Sequence, residues 1–236
     1  MVRSMNDNLL GIGLYTSLEA GKLLKTSSIN ISRWLKGYKY KDNEGEDRWV
    51  DAIWRPELDL GYHEQVQLSF RDLMEVRFID SFRTAGLPMQ TIRTLYDRAK
   101  VIMDDTRPFS TAEFRTDGKT IFYEVSNEIR DENDVIDLRD YQLVFKKFIE
   151  PTFKDIEYKK GVPVKWWPQK HDKSVVIDPA RSFGQPIIDS FSIPTSTLYN
   201  VYLAEDESYK NVADIYEIPL PFVKKAVSFE KYLSGI

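Results

Sequence analysis

Side chains that bond phosphates and base edges are concentrated in one short stretch near the start of the chain. Hydroxyl, amide and cationic groups make most of the contacts between proteins and DNA. Here they alternate with apolar residues at helical spacing, as Ser28, Asn30, Ser32, Arg33 and Lys36. Lys39 and Lys41 follow and are suited to holding phosphates. These residues are the predicted DNA contacts.

The charge of the chain points to the same end. Residues 1–41 contain five Lys and two Arg against Asp7 and Glu19, which gives this segment a charge of +5. The whole chain carries −4, so the remainder carries −9. Because phosphate neutralisation needs a local excess of Lys and Arg, a polyanion is expected to bind the first segment. The acidic total argues against a protein that coats nucleic acid indiscriminately.

Few residues are suited to catalysis or metal binding. The chain has no cysteine, which excludes disulfides, thiolate metal sites and cysteine nucleophiles. Its two histidines, His63 and His171, are far apart in the sequence, and no serine lies in a GxSxG-type setting. We therefore expect a protein that is not an enzyme and uses neither a metal nor another cofactor.

No segment has the composition of a membrane span. The first ten residues lack the apolar core of a signal peptide, and no stretch approaches ~18 uninterrupted apolar residues. The absence of cysteine fits a reducing compartment. The expected location is the cytoplasm, with no membrane partner.

Two short helices should position the basic residues. Thr16 and Glu19 have the spacing of a capping box, which predicts a helix over about 17–24. A second helix is predicted over 28–36 and should end at Gly37. Its buried face would consist of Ile31, Trp34 and Leu35. The two helices together predict a helix-turn-helix.

A β-hairpin should follow these helices, because residues 38–54 alternate aromatic and charged side chains around Asn43-Glu44-Gly45. This order of elements is typical of a winged helix-turn-helix. Helices are predicted next over about 66–86 and 88–103, followed by a hairpin over 114–125 that turns at Asp117-Gly118. An acidic stretch over 128–140 precedes a helix over 141–149, which Pro151 should kink or stop. The remaining predicted elements are β-like runs at 174–177 and 185–188 and helices over about 196–204, 209–216 and 219–232, with Thr195 and Ser208 in capping positions.

The predicted fold class is therefore α+β and mainly helical. A winged helix-turn-helix would occupy residues 1–60, and a central region of helices and a hairpin would occupy 61–160. A small sheet and a second helix-turn-helix would form the C-terminal region over 161–236. Such a protein is expected to act as a homodimer, since helix-turn-helix readers usually pair to match two half-sites.

The second helix-turn-helix is predicted from a repeated pattern. In this pattern a small residue is followed by apolar or turn residues at intervals of 3, 2, 5 and 3. The first copy consists of Gly21, Leu24, Thr26, Ile31 and Trp34, and the second of Ala213, Tyr216, Ile218, Val223 and Ala226. The small residue allows the second helix to cross the first closely.

The two copies differ on their exposed sides. The C-terminal copy offers Leu220 and Phe222, followed by Lys224 and Lys225. An apolar tip of this kind favours contact with protein, either a second copy or another partner. DNA reading by this copy stays open as an alternative.

Motifs along the chain resemble one known group of bacterial proteins. They are residues 14–24, Ser27, 33–38, 70–78, 82–86, Ile92-Arg93, 114–118, Trp167-Pro168, 177–179 and 182–186. In order and spacing they are similar to proteins with a MerR-like helix-turn-helix and a C-terminal domain of unknown function numbered 433. The resemblance covers nearly the whole chain.

The resemblance implies a VapB-like antitoxin of a type II toxin-antitoxin pair. Such a protein would bind operator double-stranded DNA and neutralise a cognate PIN-like ribonuclease toxin. Lys25 and Ile29 depart from the group, which often has Gly in the turn and Arg early in the second helix. The operator sequence is therefore expected to differ.

One other function is compatible with these residues. A MerR-type transcription regulator would sense a small molecule in an aromatic pocket between the helices over 66–103 and the central hairpin. An enzyme is the third class, but no catalytic constellation supports it. Toxin neutralisation is expected to lie after about Asp104, where the acidic stretch and the apolar tip are found.

Overall fold

The computed structural model describes residues 11–58, 66–128, 143–169 and 171–235. The chain divides into two units, of which one, here called the first unit, comprises Thr16–Pro163. The other, here called the terminal unit, joins Met1–Tyr15 to Val164–Ile236. The acidic stretch over 129–140 and His63 fall outside the described residues, as does Tyr141.

The elements at the start of the chain follow their local sequence signals. They are β1 (Tyr15–Thr16), α1 (Ser17–Leu24), α2 (Ser28–Lys36), β2 (Tyr38–Lys41), β3 (Asp47–Val50) and β4 (Gln67–Leu68). The Thr16 hydroxyl accepts a hydrogen bond from the Glu19 backbone N–H at 3.2 Å, and the Glu19 carboxylate accepts from the Thr16 N–H at 2.8 Å. The capping box, both helices and the hairpin β2–β3 are therefore confirmed.

Three longer helices form the core of the first unit: α3 (Phe70–Thr84), α4 (Met89–Ile102) and α5 (Ala112–Glu128). Phe78 and Phe82 of α3 contact a group of aromatic rings, among them Phe109 and Phe114. All four side chains are fully buried. Burial of rings this large supplies most of the apolar area that stabilises the unit.

The predicted hairpin over 114–125 is wrong, because these residues belong to α5. Phe114, Ile121, Phe122 and Val125 are buried at helical spacing. A turn pair such as Asp117-Gly118 costs a helix about 1 kcal/mol, which is less than burial of several large apolar side chains contributes. Tertiary packing therefore overrides the turn signal, and the predicted arrangement of the central region does not hold.

A π-helical turn over Phe145–Ile149 and a 3-10 turn over Glu150–Phe153 follow. Of the predicted helix over 141–149, the last five residues therefore form a π-helical turn. Pro151, which lacks a backbone N–H, lies within the 3-10 turn that follows.

A five-stranded sheet follows with its strands in chain order. The strands are β5 (Ile156–Lys159), β6 (Val162–Trp166), β7 (Val175–Ile177), β8 (Pro186–Ile188) and β9 (Ile193–Pro194). The pairs from β6 to β9 are antiparallel, and Val175 lies opposite Ile188. The predicted small sheet is thus confirmed, with β7 and β8 at its two predicted runs.

Three helices end the described chain: α6 (Thr195–Ala204), α7 (Tyr209–Tyr216) and α8 (Leu220–Ser234). Ser208 caps α7 and accepts a hydrogen bond from the Asn211 N–H at 3.2 Å. The predicted cap at Thr195 is wrong, because Pro194 precedes the helix and Thr195 is its first residue. The buried Thr195 hydroxyl donates instead to the Glu230 carboxylate of α8.

The short segment before α1 belongs to the terminal unit. The backbone N–H groups of Gly11 and Leu14 donate to the carbonyls of Pro179 and Phe183, each at 3.1 Å. The Tyr15 hydroxyl donates to the Gly184 carbonyl at 2.8 Å. The terminal unit is therefore built from two separate parts of the sequence.

Candidate nucleic-acid interface

The turn between α1 and α2 brings the two helices into close contact. Lys25 ends α1 in the left-handed conformation, with φ 56°, and its N–H donates to the Gly21 carbonyl. The Thr26 N–H donates to the same carbonyl at 3.0 Å. A Cβ at Gly21 would lie 2.9 Å from the Thr26 carbonyl oxygen, so only glycine fits without a shift of the backbone.

The outer face of α2 carries the predicted contact residues. Ile31, Trp34 and Leu35 are buried on the inner face. Asn30, Arg33 and Lys36 are exposed, whereas Ser28 and Ser32 are half-buried at the margins. The helix therefore presents an amide and two cations outward, as a DNA-reading helix requires.

Arg33 also contacts the hairpin. Its guanidinium carbon lies 5.1 Å from the centre of the Tyr38 ring, a cation–π contact that restricts the side chain. Gly37 joins α2 to β2 with φ 75°, and a Cβ there would lie 2.4 Å from the Val50 carbonyl oxygen. The glycine lets the hairpin fold back close to the end of α2.

The hairpin offers less positive charge than its lysines suggest. Lys39 and Lys41 are exposed, but four carboxylates follow at the tip of the hairpin, those of Asp42, Glu44, Glu46 and Asp47. The Lys41 ammonium lies 4.0 Å from the Asp47 carboxylate. A hydrogen bond from Arg48 holds the pKa of Asp42 below its usual value. Lys39 at the base of the hairpin is thus better placed than Lys41 to hold phosphate.

The segment after the hairpin is bonded to the helical core of the first unit. The Ile53 N–H donates to the Trp34 carbonyl at 2.7 Å. The Arg93 guanidinium donates to the Asp51 carbonyl at 2.6 Å. These bonds join the end of α2 and the segment after β3 to α4, so the outer face of α2 has a defined orientation within this unit.

A buried carboxylate, which the sequence did not reveal, completes this connection. Asp72 of α3 is fully buried and accepts hydrogen bonds from the Trp54 indole at 2.9 Å and the Arg107 guanidinium at 2.6 Å. Its second oxygen accepts from the backbone N–H of Glu57 at 2.9 Å. The only sequence signal is the spacing of Ser69 and Asp72, which form a capping box at the start of α3.

The C-terminal helix-turn-helix repeats the backbone geometry of the first. Glu217 ends α7 in the left-handed conformation with φ 52°, and its N–H donates to the Ala213 carbonyl. The Ile218 N–H donates to the same carbonyl at 3.1 Å. These are the bonds that Lys25 and Thr26 make to Gly21, so the repeat seen in the sequence is also a repeat of structure.

The predicted partner-binding residues are only partly available at the surface. Phe222 is half-buried and packs edge-on against Phe191, with ring centres 5.1 Å apart. The Lys225 ammonium donates to the Ser174 hydroxyl at 2.6 Å and to Asp172 at 3.2 Å. Leu220 is half-buried, whereas Lys224 is exposed. The apolar tip is therefore a ridge that packs against the turn after β8 and is bonded to the loop before β7.

The aromatic pocket expected for a small-molecule sensor is wrong as placed, because the hairpin that would form one wall is part of α5. A cleft of about 930 Å³ lies elsewhere in the first unit, beside Trp49, Trp54 and Lys100. Within the described ranges no three His, Cys, Asp or Glu side chains are grouped as a metal site would require. None of the helices described is long and apolar enough to cross a bilayer.

Comparison with known proteins defines the class of the N-terminal region. Residues 13–95 match the model of a family described as "Putative DNA-binding HTH domain". The matched range begins before α1 and ends within α4, so it includes the buried contacts of Asp72 with Trp54 as well as the two short helices. The match supports the predicted helix-turn-helix of DNA-binding type.

A protein sequence and a solved structure, both from Mycobacterium tuberculosis, resemble most of the chain. A protein of strain ATCC 25618 / H37Rv called "Putative antitoxin VapB45" is 27% identical over 220 residues, which cover 88% of this chain and 89% of that protein. The crystal structure of Rv2018 is similar with a TM-score of 0.64 over 92% of this chain and 99% of that one, at 20% identity. The first likeness supports an antitoxin-like helix-turn-helix protein, and the second shows the fold alone.

Proposed function

We propose that this protein is the antitoxin of a type II toxin-antitoxin pair and represses its own operator. The observation that carries the proposal is the outer face of α2, which exposes Asn30, Arg33 and Lys36 within a helix-turn-helix. Likeness over nearly the full length of a protein named as a putative antitoxin supports the antitoxin activity. The partners are operator double-stranded DNA and a PIN-like ribonuclease toxin, as the MerR-like and domain 433 resemblance implies.

A homodimer fits this role. Two copies of α2 would enter successive major grooves about 34 Å apart, which places the half-sites one helical turn apart. Lys39 would hold phosphate beside each groove. The proposed location is the cytoplasm, where both the operator and the RNA substrate of such a toxin are found. Binding to the operator or to the toxin requires no cofactor.

The operator test is a titration of DNA from immediately upstream of the gene. Arg33→Ala should weaken binding by about 1–3 kcal/mol, or roughly 5- to 150-fold, because a guanidinium contact with guanine or phosphate is lost. Circular dichroism should be unchanged, since Arg33 is exposed. Equal affinity of parent and variant would remove α2 as the reader.

Lys224→Ala provides the matched variant in the second helix-turn-helix. Lys224 occupies the position in α8 that Ser32 occupies in α2, and its side chain is exposed. We propose that α8 binds protein, so this variant should bind the operator as the parent does. A loss comparable to that of Arg33→Ala would assign DNA reading to both copies.

The toxin test uses the full-length chain. A fragment that begins at residue 105 would separate Arg107 from Asp72 and so break the core of the first unit. Arg33→Ala should still protect cells that express the toxin encoded next to the gene. Leu220→Asp should abolish protection without weakening operator binding, because a charge would be added to the proposed contact ridge. Protection by Leu220→Asp would exclude this ridge as the toxin-binding surface.

A further inference from the structure

We infer that Ile29 reads the methyl groups of thymine in the operator and so helps to set its sequence. The inference rests on the proposed operator binding through α2. It goes further in naming a base feature and the residue that recognises it. Neither the phosphates nor the hydrogen-bonding edges of the bases favour contact with an aliphatic side chain.

Ile29 is unusually exposed for a side chain of its type. It is 64% exposed, although it is the second residue of a nine-residue helix whose other aliphatic residues are buried. In helix-turn-helix proteins, the N-terminal residues of the second helix contact the base edges. Ile29 therefore lies where base contacts are made.

The neighbours of Ile29 on α2 support the same assignment. Arg33 and Lys36 follow it by four and seven residues, and therefore lie on the same face of the helix. Both cations are exposed. An apolar side chain in line with two cations is suited to DNA, which is a polyanion that also displays methyl groups. A surface that binds a protein partner would be expected to have a broader apolar face.

The residues flanking Ile29 on the helix leave it room to reach the groove. Ser28 and Ser32 have short side chains and are half-buried. Ile29 therefore projects beyond them. In the major groove the apolar feature at the base edges is the C5-methyl group of thymine, which aliphatic side chains contact directly.

The test uses operator duplexes in which single thymines are replaced by deoxyuridine, a change that removes only the C5-methyl group. The DNA immediately upstream of the gene, mapped with the parent protein, supplies the duplexes. The parent should lose roughly three- to tenfold in affinity at one thymine of each half-site, since burial of one methyl group contributes about fourfold. Ile29→Ala should be insensitive to the same replacement.

Leu18→Ala is the matched control. Leu18 is also exposed, at 58%, but lies on α1, so this variant should keep the parent's sensitivity to deoxyuridine. If Ile29→Ala binds too weakly in the standard buffer, the comparison is made at lower salt, where phosphate contacts keep it bound.

Two results would overturn the inference. In the first, no deoxyuridine replacement changes the affinity of the parent for the operator. In the second, each replacement lowers the affinity of Ile29→Ala as much as it lowers that of the parent. Either result is compatible with operator binding that depends on Arg33. If parent and Arg33→Ala bind equally, or the parent binds no upstream DNA, the proposed function itself fails.

Discussion

Asp72 shows how much of this structure depends on one buried residue. Its two oxygens accept hydrogen bonds from Trp54, Arg107, Glu57 and Ser69, which belong to three separate parts of the chain. Arg107 is itself almost fully buried, and its guanidinium also donates to the Arg55 carbonyl at 3.2 Å. Loss of the carboxylate would leave a buried cation without its counterion.

Replacement of this residue should therefore be costly. Asp72→Ala is expected to lower the free energy of unfolding by about 3–5 kcal/mol, as is usual when one partner of a buried ion pair is removed. Urea unfolding followed by circular dichroism measures the change. Asp47→Ala, which removes an exposed carboxylate, should change it by less than about 0.5 kcal/mol. Similar effects in the two variants would contradict the role given to Asp72.

Glu75 is a second buried carboxyl group. Unlike Asp72, it accepts no hydrogen bond from a buried cation among the hydrogen bonds described. It accepts from the backbone N–H groups of Ser110 at 2.8 Å and Phe109 at 3.3 Å. Burial raises the pKa of Glu75 to about 7, because these hydrogen bonds only partly offset the loss of water around the charge. The folded protein thus holds a proton there that the unfolded chain releases near pH 4.5.

The stability of the folded state should accordingly fall with rising pH in this window. The contribution of Glu75 is fully present below about pH 4.5 and is lost as the pH rises to about 7, a change of roughly 3 kcal/mol at most. Unfolding free energies of the parent and Glu75→Gln, measured by urea titration from pH 5 to 8, test this. The decline should be smaller in the variant. Parallel curves for the two proteins would show that Glu75 does not titrate there.

At the scale of elements, the two helix-turn-helices differ at the residue where their helices cross. Gly21 has no room for a Cβ beside the Thr26 carbonyl, whereas Ala213 carries a Cβ at the matching position. The backbone bonds of the two turns are otherwise the same. The first pair therefore packs more closely than an alanine allows.

Gly21→Ala should destabilise the first helix-turn-helix despite the better helix propensity of alanine. The contact is with backbone, so overpacking is expected to cost about 1–3 kcal/mol, which exceeds the gain of about 1 kcal/mol. Ala213→Gly should cost only about 0.5–1 kcal/mol. Thermal unfolding of both variants gives the comparison. Stabilisation by Gly21→Ala would mean that α2 can move away without penalty.

The elements that the sequence predicted well are those with local signals. Thr16, Ser208 and Gly37 mark helix ends by their own chemistry, and the structure places α1, α2 and α7 at the predicted residues. The repeat intervals also survive, because they describe packing between adjacent helices. Local chemistry was therefore sufficient for both helix-turn-helices.

The failures concern contacts that are distant in the sequence. Asp72 and Arg107 are 35 residues apart, and nothing local in either segment indicates the other. At Asp117-Gly118 the local signal favours a turn, but the aromatic core of α3 determines the helix. The acidic tip of the hairpin was visible in the sequence, yet its effect on Lys41 depends on the register that sets Lys41 opposite Asp47.

For the whole molecule, the uneven charge has a measurable consequence. The first 41 residues carry +5, and the rest of the chain carries −9. DNA binding should therefore release counterions at one end of the sequence only. The logarithm of the binding constant should fall steeply with the logarithm of salt concentration, by about 0.9 for each phosphate neutralised.

Titrations between about 50 and 200 mM salt would test this expectation. Lys39→Ala should reduce the slope by about one for each subunit if it holds a phosphate. Lys41→Ala should reduce it less, because Asp47 already lies beside that ammonium. A flat dependence on every duplex would mean that the basic segment serves another purpose.

The division of the terminal unit between two parts of the sequence also sets an order of events during synthesis. Residues 16–163 contain α2 and leave the ribosome while Gly11–Tyr15 still lacks its partners around Pro179 and Gly184. At typical translation rates, residues 164–236 follow roughly 4–15 s later. A nascent chain would thus hold the folded unit that we propose reads DNA before the proposed toxin-binding ridge exists. A chain released early could occupy the operator while offering no protection against the toxin.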